Sequence, residues 1–149
     1  MGMSGWIKIY AGVVVGYGFY MLLGAADFSY VSSLMKGLPY FAILAIYAFM
    51  VLYGVTGVYC GMRMMRFENW ARRVIVVMTS VSLIQGFLIG NLVMSNFKEF
   101  VMSGKAGLPV QDAGMAYQAA AFMTVISTIL EISILVFFTR GSVIKSFDS

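Results

Sequence analysis

This sequence predicts an all-α fold, an integral membrane four-helix bundle made of two antiparallel hairpins. Three observations carry that expectation. Hydrophobic residues make up 61% of the 149 positions and charged residues only 11%, too little polar surface to cover a soluble core of this size. The charges gather into short segments between four long apolar runs. The longest of these interruptions, Gly61 to Arg73, carries Arg63, Arg66, Arg72 and Arg73 beside Tyr59, Phe67 and Trp70. Basic and aromatic residues together mark a chain turning at a membrane surface.

The whole chain, 1–149, reads as one transmembrane domain with spans near 7–26, 39–62, 72–97 and 114–139. Eighteen uncharged residues, Ile9 to Ala26, cover about 27 Å at helical rise, and Trp6 and Tyr10 mark the start of this span. The segment does not read as a cleaved signal peptide, because a single lysine precedes it and Gly24-Ala-Ala is a weak cleavage match. Residues Asp27 to Tyr40 form a loop, and the second span starts near Pro39, where a missing N–H costs nothing. A third uncharged run, Val74 to Phe97, follows the basic hinge. Lys98 to Asp112 reads as the second outer loop, and Ala113 to Thr139 as a fourth span interrupted only by Glu131.

Basic residues divide unevenly between the two membrane faces. Lys8, Arg63, Arg66, Arg72, Arg73, Arg140 and Lys145 fall on one side, and Lys36, Lys98 and Lys105 on the other. The excess puts both termini and the hinge in the cytoplasm, with a bacterial inner membrane as the expected location. The net charge of +4 therefore serves topology and lipid headgroups rather than nucleic acid.

The halves also resemble each other. Trp6, Leu23-Gly24 and Lys36-Gly-Leu-Pro39 are matched by Trp70, Ile89-Gly90 and Lys105-Ala-Gly-Leu-Pro109. A duplication would make a parallel internal repeat about an axis along the membrane normal. Any two hairpins, however, share a tryptophan at the start and Gly-Pro at the turn.

Three Gly-x-x-x-Gly pairs, Gly12/Gly16, Gly57/Gly61 and Gly86/Gly90, are candidates for close helix packing. The side chain richest in chemical content is Glu131. Eight residues separate it from Arg140, so it lies about 12 Å inside its span. A carboxyl at that depth faces the protein interior or a watery cavity. Thr124, Ser127, Thr128 and Glu131 follow helical spacing and form one polar face, and Thr79, Ser82 and Gln85 of the third span lie at matching depth. The expected role is a hydrogen-bonded tie between spans three and four.

Most catalytic constellations are missing. There is no histidine, which removes Ser/His/Asp and Cys/His sets and the commonest metal ligand. A single cysteine, Cys60, makes neither a disulfide framework nor a cysteine-cluster metal site. No metal or other cofactor is expected, although a lipid, quinone or pigment between aromatic spans would need no histidine.

The hinge with Asn69-Trp70-Ala71-Arg72-Arg73 resembles small uncharacterised four-span bacterial membrane proteins in which a basic turn and Trp-Ala-Arg open the third span. The likeness covers about Tyr53 to Gly90 and implies topology without an activity. The two-hairpin plan with a carboxyl in the fourth span also resembles the duplicated proteolipid of rotary ATPases, which would make Glu131 an ion carrier. The bulky Phe19, Tyr20, Phe87 and Leu88 depart from that family's small-residue lining. Length and span number are similar to those of membrane glutathione-transferase-like enzymes, but their arginine- and asparagine-bearing motif is absent from the spans. The sequence thus predicts a non-enzymatic accessory or scaffold subunit that contacts lipid and either other membrane subunits or copies of itself. The alternative is a small oligomeric proton, ion or solute transporter using Glu131.

Overall fold

The computed structural model describes residues 3–103 and 109–148. Its helices are α1 (Met3–Gly24), α2 (Phe28–Leu34), α3 (Tyr40–Met64), α4 (Asn69–Met102), α5 (Val110–Thr139) and α6 (Gly141–Asp148), with no strand among the described residues. The helices α1, α3, α4 and α5 are each long and apolar enough to cross a bilayer. This is an integral membrane protein whose outward side chains, such as Phe87 (88% exposed), Phe41 and Leu23, face lipid.

The spans run antiparallel in chain order: α1 packs on α3, α3 on α4, and α4 on α5. The bundle closes where α1 meets α5 through side chains. Tyr10 stacks on Phe137 with ring centroids 4.0 Å apart. One membrane face carries the hinge, the start of α1 and α6 and is here called the termini face. The opposite face carries α2 and is called the loop face.

Two short helices lie outside the expected spans. Asp27 starts α2 by accepting from the Tyr30 backbone N–H at 3.1 Å, the cap that short polar side chains provide. From α4, Asn96 Nδ2 donates to the carbonyls of Leu34 and Lys36 at 2.8 and 2.9 Å, fastening α2 to the bundle. After the extended Arg140, α6 folds back and buries Val143 and Phe147 against Phe138 and Ile7. The main core therefore sits at the termini face. A smaller cluster of Val31, Met35 and Ile43 lies at the loop face.

The second outer loop is shorter than Lys98 to Asp112, because α4 continues to Met102 and α5 already includes Val110 to Asp112. Leaving the hydrocarbon does not end a helix. Thirty-four residues of α4 span about 51 Å, against about 30 Å of bilayer core, so its ends project into the surface layers. Gly104 to Leu108, with Lys105 and most of the second copy of the Lys-Gly-Leu-Pro match, lie outside the described residues.

The halves pack differently. Between α1 and α3 a Cβ added at Gly18 would come within 2.8 Å of Gly54 O and Val58 N, and one at Gly57 within 3.2 Å of Gly18 Cα. At Gly61 it would meet Val15 Cγ2 at 2.6 Å and Ala11 O at 3.0 Å. The close approach thus uses Gly18, Gly54, Gly57 and Gly61. The other candidates do not join it. Gly12 would meet only Met65 Cε at 3.9 Å, and Gly16, Gly86 and Gly90 have nothing within 4 Å. Spacing alone finds pairs of glycines on one helix, but packing also depends on that face meeting a neighbouring backbone.

Candidate functional site

Glu131 lies inside the bundle, 6% exposed. Its Oε1 accepts from Ser82 Oγ of α4 at 2.7 Å and from Tyr17 Oη of α1 at 2.8 Å. A single carboxylate oxygen therefore joins three helices. Beside it, the Tyr17 ring meets the Tyr53 ring edge to face at 5.9 Å. The Tyr53 hydroxyl, from α3, shares a 2.8 Å hydrogen bond with the fully buried Thr79 of α4. Nearer the termini face, Tyr10 Oη and Ser133 Oγ are 3.0 Å apart. Each pair removes a polar group from lipid by giving it a partner on another helix.

The residues expected to surround Glu131 divide three ways. Ser82 contacts it, whereas Thr79 turns to Tyr53 of α3. The face expected on the fourth span does not point inward as a whole. Ser127 and Thr128 both donate to the Thr124 carbonyl, and Thr124 to that of Ala120; Thr124 and Thr128 are exposed and Ser127 half-buried on α5. A hydroxyl bonded to its own helix, as at Thr128, can face lipid, whereas Thr124 also reaches Met94 Sδ of α4 at 3.7 Å. Gln85 is half-buried and its amide has no hydrogen-bond partner among the described residues. It borders a shallow groove between α3 and α4 with Ile46, Phe49, Ile84 and Leu88, and also lines a mostly apolar cavity between the helices.

The tyrosines were the missed partners. Tyr10, expected as an interface marker, instead reaches Ser133. The available signal was Tyr10 and Tyr17, seven residues apart and so on one face of α1, together with Tyr53. A phenol inside a span needs an acceptor or donor there.

At the hinge the four arginines also part. Arg63 Nη1 pairs with Glu68 Oε1 at 3.0 Å and its Nη2 donates to Tyr59 Oη at 3.0 Å. Trp70 Nε1 donates to Glu68 Oε2 at 2.7 Å. The indole, aided by Arg63, holds the Glu68 carboxyl below the usual carboxylate range. Arg66 and Arg73 are exposed, while Arg72 is 7% exposed and enters the core. Its Nε donates to Asn69 Oδ1 and its Nη1 to the Phe138 carbonyl, both at 2.8 Å. Arg72 and Arg73 therefore do not form one basic patch. Successive residues on a helix point about 100° apart, so Arg72 caps the end of α5 while Arg73 faces outward. Phe67, at φ 60, turns the chain and sets its ring 5.9 Å from that of Phe147.

No protein family model, curated protein or solved structure matches this chain. What the geometry defines is a four-span membrane bundle tied internally by tyrosine, serine and glutamate.

Proposed function

We propose that this protein is a non-enzymatic subunit of a larger membrane assembly and docks through the groove between α3 and α4. The observation that supports this reading is Gln85. An amide carries two donors and an acceptor, and in lipid each unmet group is costly. The other intramembrane polar side chains described above find partners in this chain, whereas the Gln85 amide finds none among the described residues. A helix from another subunit would meet it, with the apolar side chains of Ile84 and Leu88 packing around the contact. The hydrogen bonds on Glu131 support its structural role, and no other charged residue lies within Val74 to Phe97 or Ala113 to Thr139 to continue a proton path.

Both termini belong in the cytoplasm on this reading, in a bacterial inner membrane, as the seven basic residues against three argue. Mild-detergent purification combined with crosslinking from cysteines at Ile84 and Leu88 tests the proposal. The expected result is a stoichiometric second chain, captured at those positions and lost in Gln85→Leu with the bundle still folded. A homogeneous homo-oligomer, or capture unchanged in Gln85→Leu, would overturn it.

A further inference from the structure

At the loop face the helices part around an open cavity. The cavity, of about 340 Å³, lies between α1, α2, α3, α4 and α5, and four methionines, Met21, Met35, Met50 and Met94, line it with Gly86 and Gly90. A Cβ at either glycine would meet nothing within 4 Å. The glycines unused in helix packing are thus what leave this space open. The volume falls within the range of about 300–1,000 Å³ usual for ligand pockets. The cavity walls are mostly apolar, with Ser82, Gln85 and Thr124 the polar exceptions, and methionine adapts to irregular apolar shapes.

A second cavity, of about 280 Å³, is lined by other residues of two of these helices, Ser32 and Ser33 of α2 and Asn96 and Glu99 of α4, together with Lys36 and Ser103. Its chemistry is selective. The hydroxyl protons of Ser32, Ser33 and Ser103 already go to the carbonyls of Ser29, Tyr30 and Phe100. Asn96 Nδ2 is committed to Leu34 and Lys36. The pocket therefore offers hydroxyl and amide oxygens as acceptors, the Glu99 carboxylate, and the Lys36 ammonium 4.0 Å from it. A ligand that suits it carries one anionic group for Lys36 and one N–H-rich cation for Glu99 and the free oxygens.

We propose that the two cavities together bind one zwitterionic phospholipid with a primary-amine headgroup, of the phosphatidylethanolamine type. An acyl chain fills the methionine-lined cavity, the phosphate meets Lys36, and the ammonium meets Glu99. A choline headgroup has no N–H to give, and an anionic glycerol headgroup has no cation for Glu99. Ile46, Gln85 and Ile89 border both this methionine-lined cavity and the groove between α3 and α4, but lipid binding here requires no contact between Gln85 and another subunit.

The test loads the purified full chain from vesicles of mixed phosphatidylethanolamine, phosphatidylcholine and phosphatidylglycerol, then washes it with detergent and weighs it by native mass spectrometry. The expected result is retained phosphatidylethanolamine, lost in Gly90→Leu, whose side chain fills the cavity. Glu99→Gln should keep a lipid but lose the choice between ethanolamine and choline. No retained lipid, no headgroup preference, or full retention in Gly90→Leu would overturn the proposal. A phosphatidylethanolamine with a photoreactive tail tests the wild-type chain directly, should Gly90→Leu fold poorly. Crosslinks at Met50 and Met94 support the site, and crosslinks confined to the outward Phe87 and Leu88 contradict it.

Discussion

The Tyr17 hydroxyl of α1 donates to Glu131 Oε1 of α5 over 2.8 Å, joining residues 114 apart in the chain. Ser82 donates to the same oxygen. Because both bonds end on Oε1, an amide oxygen can replace it. Glu131→Gln should therefore fold like wild type, while Glu131→Leu loses both bonds. Interhelical hydrogen bonds in membranes average about 0.6 kcal/mol, so the leucine variant should lose roughly 1 kcal/mol. Unfolding in mixed micelles measures both. In liposomes with a pH-sensitive dye, a proton flux that Gln eliminates would show that Glu131 carries protons rather than tying helices.

Glycines separate close packing from mere spacing. Gly18→Ala would press its methyl within 2.8 Å of Gly54 O and Val58 N, which are backbone atoms that cannot swing away. Overpacking of this kind costs about 1–3 kcal/mol. Gly86→Ala meets open space and gains up to about 1 kcal/mol of helix propensity. The two substitutions should move the unfolding midpoint in opposite directions. Equal effects would mean that α1 and α3 do not approach as closely as Gly18 and Gly57 indicate.

The spans were legible because bilayer thickness imposes a length on every uncharged run, and Glu131's depth could be counted from Arg140. Its partners could not. Tyr17 reaches Glu131 only because α1 closes the bundle against α5, and no local pattern encodes that closure. The same limit hid Gly18 and Gly54, which fit no four-residue spacing with each other, being on different helices. Val143 and Phe147 of α6 span a single helical turn, too little for periodicity to register. Conversely, the regular spacing of Thr124, Ser127 and Thr128 suggested one inward face, although a hydroxyl that bonds its own backbone, as at the exposed Thr128, is content beside lipid.

The hinge should resist mild acid. Trp70 and Arg63 hold the Glu68 carboxyl below its ordinary range. With a depressed folded pKa, the stability it adds is present above the unfolded value, about 4.3 for glutamate, and is lost as pH falls through the folded one. Trp70 fluorescence in a Trp6→Phe background reads this directly, because its indole nitrogen donates to Glu68 Oε2. The emission should hold steady down to pH values near 4 and change below them. Glu68→Gln should remove that acid transition, and a transition above the ordinary glutamate range would contradict the geometry.

Opposite membrane faces carry α2 and the hinge, so surface labels should divide accordingly. Ser33 of α2 and Glu99 near the end of α4 line the loop-face polar cavity. Arg66 is exposed in the hinge, and Lys145 is exposed on α6 at the termini face. The native Cys60 is 1% exposed and should stay silent toward a polar maleimide, so cysteines introduced at these positions can be read without removing it. The excess of basic residues around the hinge and termini predicts which face stays inside, since cytoplasmic segments retain lysine and arginine during insertion. In intact cells, Ser33→Cys and Glu99→Cys should react with an impermeant maleimide, and Arg66→Cys and Lys145→Cys should react only after lysis. Reaction at Arg66 from outside would invert the orientation, leaving the helices unchanged but putting the proposed lipid site in the cytoplasmic leaflet. Reaction at Ser33 and Arg66 from the same side would be incompatible with α3 crossing the bilayer at all.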